Sequence, residues 1–252
     1  MKIGIAGKGG VGKTTLAGLI CWVLKDLGIR VLAVDADPDA NLGSFLGFPE
    51  VEKITPIIQM KELISERMEV KGAFYKLTPK IDDIPDRFMK EHEGIKLIVM
   101  GTVKSGDAGC VCPESTFLRR LLHQIALRKD EYIVVDFEAG VEHLGRGTAE
   151  KFDYLLIVVE PSKLSVESFM RIYPLAKDIG IKRVLGIANK IREEKDKEFL
   201  DLHLDRDKIL GYLSFSNLFS EVNRMSNWRI LKEDRIYVEA KGIVKKLLNS
   251  GG

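Results

Sequence analysis

The chain has 252 residues, 45% of them apolar, with 39 lysines and arginines against 37 acidic residues. That length and apolar content suit one α/β domain, here read as spanning 1–252. The near-balanced charge removes the electrostatic case for non-specific nucleic-acid binding, so no nucleic acid is expected as a partner. No apolar run reaches the ~18 residues that a spanning helix needs, and three cysteines do not make a disulfide framework, so no membrane partner and a reducing, cytoplasmic setting are expected.

The first strand, Ile3 to Ala6, starts directly after Met1-Lys2 and leaves no room for a secretory leader. It runs into Gly7-Lys8-Gly9-Gly10-Val11-Gly12-Lys13-Thr14-Thr15 and then a helical run from Leu16 to Leu27. Strand, glycine-rich loop and helix make a Walker A phosphate cradle, matching G-x-x-x-x-G-K-[ST] from Gly7 to Thr14. Glycines let the loop turn several N–H groups inward, and the helix N-terminus adds positive potential. Gly9, Gly10, Val11, Gly12 and Thr15 are therefore expected to line bound ATP. Lys13 supplies a charge for the β- and γ-phosphates, and the Thr14 hydroxyl is a ligand for Mg²⁺. Lys8 is a second lysine that an ordinary phosphate loop does not need; on residue chemistry alone it is also readable as a solvated loop-edge side chain. Cys21, among Ile20 and Val23 in the first helix, reads as a core residue.

Ile29 to Val34 suits a buried parallel strand, which makes the opening a βαβ unit. It is followed by Asp35-Ala36-Asp37-Pro38-Asp39, carboxylates at the C-terminal end of a strand, where open α/β sheets bind their ligands. Beside a triphosphate such carboxylates imply a divalent cation, with Asp35 in its outer shell. Residues 41–94 carry no motif and are left unassigned. Helices are expected near Leu42 to Leu46 and from Ile58 to Met68, a strand over Phe74 to Leu77, and a loop over Thr78 to Asp86.

Ile95 to Met100 is the next strand. The glycine-rich stretch after it holds Cys110-Val111-Cys112-Pro113-Glu114, and Pro113 suits the first position of a helix running to Lys129. Cys112 then falls at the N-cap, where the helix dipole favours thiolate. Two thiolates are half of a tetrahedral soft-metal site, and a two-fold dimer would supply four from Cys110 and Cys112 of both copies. Four sulfurs suit Zn²⁺, Ni²⁺ or an iron–sulfur cluster. Tyr132 to Val135 is a strand closed by Asp136, placed as a Walker B carboxylate that holds Mg²⁺ through water. Gly140 follows, able to bring a backbone N–H to the γ-phosphate, and Glu142 and His143 stand just beyond. Leu155 to Val159 and Val184 to Ala188 are further strands, the second followed by Asn189-Lys190. Ile209 to Leu213 is the last strand, Ser214 to Leu218 a base-side loop, and Ile236 to Leu248 an amphipathic helix whose Ile243, Val244 and Leu247 suit packing on the sheet.

The loop Lys8-Gly9-Gly10-Val11-Gly12-Lys13 resembles the deviant Walker A of the MinD/ParA/nitrogenase-iron-protein group of P-loop ATPases. That resemblance implies a doubly wound, mostly parallel sheet with helices on both faces. It also implies that Lys8 reaches across a two-fold interface to the partner's phosphates, that Asp37 positions the attacking water, and that Asn189 reads the adenine edge. Catalysis would then rest on Lys8, Lys13, Asp37 and Asp136. The run Asp136 to Gly147 together with Cys-Val-Cys-Pro-Glu narrows the resemblance to the CooC type, ATPases that assist nickel insertion into carbon monoxide dehydrogenase. It implies a homodimer formed on nucleotide or metal binding, a shared Cys-x-Cys site for Ni²⁺ or Zn²⁺, and apo carbon monoxide dehydrogenase as client. A ParA/MinD-like positioning ATPase leaves Cys-x-Cys unexplained. An iron–sulfur reductase of the nitrogenase type takes a second ligand after switch II, yet Val141 to Phe152 holds no cysteine.

Overall fold

The computed structural model describes residues 1–72, 74–102, 112–138, 140–141, 144–225 and 228–249. Cys110, Glu142 and His143 lie outside them. Eight strands form one sheet: β1 Lys2–Ala6, β2 Val31–Ala36, β3 Lys90–His92, β4 Ile95–Val99, β5 Tyr132–Phe137, β6 Tyr154–Val159, β7 Arg183–Ile191 and β8 Ile209–Ser214. Their order is β3-β4-β2-β5-β1-β6-β7-β8, parallel throughout except for the β3–β4 hairpin at one edge. This is the expected doubly wound architecture.

Alternation along the strands feeds two cores. On one face Ile3, Ile5, Val31 and Ala33 pack beneath α1 (Lys13–Asp26) and α10 (Arg235–Asn249). On the other, Leu32, Val34, Ile133 and Val135 pack beneath α5 (Pro113–Ala126) and α7 (Lys163–Asp178). Strands covered on both sides must be apolar on both sides, which is why β6 reads as the unbroken run Tyr-Leu-Leu-Ile-Val-Val. Ile243, Val244 and Leu247 of α10 are buried, so the apolar stripe of the C-terminal helix is spent on the sheet. Among the described residues no helix is long and apolar enough to cross a membrane.

Residues 41–94 resolve into short pieces: α2 (Leu42–Phe45), 3₁₀ turns at Val51–Lys53 and Ile57–Gln59, α3 (Lys61–Arg67), α4 (Ile84–Phe88) and β3. Three expectations fail here. The helix over Ile58 to Met68 is interrupted at Met60, whose ψ of 65° lies outside the helical region, so a 3₁₀ turn ends there and the α-helix starts at Lys61. Phe74 to Leu77 forms no strand; among the described residues its one ladder contact is an isolated bridge from Phe74 to Lys71, which closes a tight local turn instead of extending the sheet. The loop over Thr78 to Asp86 ends early, since Pro85 starts α4 at its first turn. At the other end of the chain β7 runs on through Asn189 and Lys190 to Ile191, held by the pair Ile191↔Ser214 beyond a bulge.

Candidate nucleotide site

The cradle sits at the C-terminal end of β1, near the centre of the sheet. Gly12, the N-cap of α1, has φ 98°, a left-handed conformation that L side chains resist. A Cβ there would also lie 2.3 Å from Asn189 Nδ2, so only glycine fits. Lys13 is buried and its Nζ donates to the Lys8 carbonyl at 3.4 Å, folding the side chain back over the loop.

Parallel register brings the carboxylates to the same edge. Asp136 of β5 pairs with Ile5 of β1 on one side and with Asp35 of β2 on the other. The Thr14 hydroxyl donates to Asp136 Oδ2 at 2.6 Å. Asp136 Oδ1 is buried with no hydrogen-bond partner among the described residues. Burial pushes the Asp136 carboxyl up to about 7; the Thr14 hydrogen bond opposes this and the Asp35 charge adds to it. An orphaned buried carboxylate oxygen next to a threonine hydroxyl fits a hydrated Mg²⁺, because a cation would restore what desolvation takes away. Asp35 has both oxygens taken: Oδ1 accepts from the Asp37 N–H at 3.2 Å and Oδ2 from the Leu42 N–H at 2.9 Å. It thus shapes the loop that carries Asp37, and burial raises it to about 6. Asp37 itself is half-buried and lines a cavity of about 860 Å³ with Gly9, Gly10, Gly12, Lys13, Thr14 and Thr15.

A second cavity, about 300 Å³, adjoins the cradle and is lined by Gly10, Gly12, Thr15, Asn189 and residues 214–217. Four residues of the loop expected on the base side thus line this cavity, with Phe215 stacked under Arg192 (Cζ 3.6 Å from the ring centre). One amide hydrogen of Asn189 is spent on the loop, donated to the Val11 carbonyl at 2.8 Å, so the side chain braces Val11 from within the cavity wall. Sequence reading missed the neighbouring brace. Lys190 Nζ donates to the Gly10 carbonyl at 2.7 Å and pairs with Glu160 Oε2 at 2.7 Å. Glu160 stands directly after the apolar run of β6, a carboxylate at the binding edge of the sheet, and that position was the available signal.

The remaining expected residues fall as follows. Val11 is buried and packs into the core beneath the loop. Gly140 follows β5 and is buried, and Lys8 is half-buried at the mouth of the cradle. Cys112 is the N-cap of α5, its Sγ accepting from the Ser115 N–H at 3.4 Å. Its expected partner Cys110 lies outside the described residues, and among the described residues no three histidine, cysteine or acidic side chains gather as a metal site. Cys21 is fully buried in the core, and burial pushes its thiol far up, as for an inert interior cysteine.

A glycine-rich loop capping β1, a Thr14–Asp136 corner that fits a hydrated Mg²⁺ and a cavity adjoining the loop define a P-loop ATPase. The family model described as the CobQ/CobB/MinD/ParA nucleotide binding domain matches residues 3–225, and the chain belongs to that family. It is 45% identical over 222 residues to the carbon monoxide dehydrogenase accessory protein CooC of Rhodospirillum rubrum, covering 86% of this chain and 84% of that one. An uncharacterized ATP-binding protein of Methanocaldococcus jannaschii, MJ0823, is 41% identical over 222 residues, 85% of each. Among solved structures, MinD in the MinC:MinD cell division complex of Aquifex aeolicus superposes with TM-score 0.71 at 22% identity, covering 98% of this chain and 95% of that one. A putative plasmid partition protein of Borrelia burgdorferi bound to AMPPNP gives 0.73 at 20%, covering 99% and 98%. At such identities these two speak for the fold.

Proposed function

We propose that this single-domain ATPase works in the cytoplasm as a homodimer that couples ATP binding and hydrolysis to metal delivery, taking up nickel through paired cysteines and passing it to apo carbon monoxide dehydrogenase. The observation that carries the reading is the 45% identity to a carbon monoxide dehydrogenase accessory protein over 84% of that protein's length. Cys112 at a helix N-cap is consistent with it, since an N–H aimed at sulfur supports a thiolate that can bind a soft metal.

Bound Mg²⁺-ATP supplies a phosphoanhydride whose γ-phosphoryl goes to water. Thr14 would hold the cation directly and Asp136 through water, in the corner where their side chains already meet. The loop N–H groups and Lys13 would cradle the phosphates, and the Gly140 N–H would approach the terminal one. Asp37, carried on the loop that Asp35 fixes, would orient the attacking water. Asn189 would meet the adenine in the cavity beside Val11. Lys8 would reach the partner's phosphates and so make hydrolysis depend on the dimer. Closure would draw two Cys110/Cys112 pairs around one metal; opening after hydrolysis would release it.

Gel filtration with and without ATP, combined with nickel and zinc titration, tests the scheme. One metal per dimer is expected, lost in a Cys110→Ser, Cys112→Ser double variant. Retention of that stoichiometry and affinity by the variant would remove the coupling between cysteines and nucleotide.

A further inference from the structure

The segment without a sequence motif carries the most exposed aromatic side chain among the described residues. Phe74 is 82% exposed and Leu77, one loop turn on, 58%. Their exposure is built in, because the backbone between them is fastened on several sides. The Lys71 N–H donates to the Phe74 carbonyl at 2.9 Å and the Phe74 N–H back to Lys71 at 3.1 Å. The Lys76 N–H donates to the Met68 carbonyl at 2.6 Å. Tyr75 turns inward, its hydroxyl 3.4 Å from Thr116 Oγ1 on α5, and Arg120 Nε donates to the Leu77 carbonyl at 3.1 Å. Phe74 and Leu77 are thus displayed on a braced loop that leans on the first two turns of α5, the helix capped by Cys112.

The charges around this knob are mostly cationic. Residues 69–80 and the first two turns of α5 carry Lys71, Lys76, Lys80, Arg119 and Arg120 against two carboxylates, Glu114 and Glu69, the latter already paired with Lys76 at 2.6 Å. An apolar centre inside a charged rim is the anatomy of a protein-binding patch. The sign of the rim selects the occupant. A second copy whose two-fold axis ran through the patch would set this cationic rim against itself. We infer that Phe74, Leu77 and the surrounding cations form the docking surface for the metal-accepting client, a protein offering an apolar socket edged with carboxylates, beside the cysteine that hands the metal over. The inference rests on the metal-delivery reading.

The test measures binding of the full-length, ATP- and nickel-loaded protein to immobilised apo carbon monoxide dehydrogenase, and the activation of that enzyme. A Phe74→Ser, Leu77→Ser variant should bind at least tenfold more weakly while keeping its nucleotide affinity, nickel stoichiometry and melting temperature. A Lys71→Glu, Lys80→Glu, Arg119→Glu variant should bind more weakly too, with a shallower salt dependence; Arg120 is spared because it holds the loop. Unchanged client binding by both variants would overturn the inference and leave metal delivery standing. Loss of ATP-dependent self-association in the variants, with client binding intact, would overturn it in favour of a homodimer contact. Wild-type protein that does not bind the apo-enzyme would overturn both readings.

Discussion

Lys190 and Gly10 are 180 residues apart in sequence and 2.7 Å apart in space, ammonium to carbonyl. Lys190 adopts this position with φ 61°, a left-handed conformation that costs a non-glycine residue on the order of 1 kcal/mol. The bulge in β7 and the pair with Glu160 hold it there. The phosphate loop is therefore braced from the strand two positions away in the sheet.

Removing that brace should loosen nucleotide binding without unfolding the protein. Lys190→Met leaves Gly10 without its partner and Glu160 without its ion pair, at a partly exposed site where one such bond contributes ~1 kcal/mol. The expected result is a dissociation constant for Mg-ADP raised about five- to tenfold, with Glu160→Gln giving a smaller change of the same sign. Titration calorimetry measures both.

The buried carboxylates make an unusual pH dependence. Asp136 is raised to about 7 from an ordinary 3.8, and Asp35 to about 6. Between the ordinary and the raised values the folded state holds more protons than the unfolded one, so stability is fullest at low pH and is lost as pH rises through that window. In Mg²⁺- and nucleotide-free protein, the contribution of Asp136 should thus fall from about pH 4 to pH 7 and then level off. Comparing thermal unfolding of wild type and Asp136→Asn across this range isolates it: the variant's advantage should grow as pH rises. Mg²⁺ should reverse the trend, since a cation favours the charged carboxylate.

Much of this corner is readable from sequence because its chemistry leaves few choices. A phosphate loop must be glycine-rich and end in Lys-Ser or Lys-Thr, and carboxylates that close apolar strands mark the binding edge of the sheet, so Gly7 to Thr15, Asp35 and Asp136 stand out at once. The doubly wound sheet follows from unbroken apolar runs such as Tyr154–Val159. Apart from the short helix at Leu42–Phe45, residues 41–94 resist because their elements are too short for periodicity to show: five residues in α4, three in β3. Phe74 and Leu77 read as a strand because both are apolar, whereas they are displayed outward on a braced loop. The Lys190–Glu160 brace hides for another reason, being a contact between ends of separate strands that only the sheet order creates.

The C-terminal helix should behave as core. Tyr237 donates its hydroxyl to Asp26 Oδ2 at 2.8 Å, and Leu247 is fully buried against the first helix and the sheet. Leu247→Ala removes buried methyl groups that the surroundings cannot refill, and should destabilise the fold by ~2–4 kcal/mol. Urea unfolding would register this as a lower midpoint with an unchanged slope. A changed slope would instead report a helix that detaches separately.

Lys8 offers the sharpest test of the dimer. Its carbonyl accepts from Lys13 and from the Val11 N–H, both at 3.4 Å, so the backbone at Lys8 belongs to the cradle whatever its side chain does. The Lys8 ammonium makes no hydrogen bond or ion pair among the described residues, whereas Lys13 is buried at the phosphate site. Lys8→Ala should therefore leave Mg-ADP affinity nearly unchanged. If the side chain acts on the partner's phosphates, the same substitution should abolish ATP-dependent dimerisation and slow hydrolysis by ~10³-fold or more, the scale on which a cation supplied in trans acts in phosphoryl transfer. Phosphate release and gel filtration on one preparation separate the outcomes. Hydrolysis at the wild-type rate by the Lys8→Ala protein would make Lys8 a solvated loop-edge side chain and each subunit catalytically complete in itself.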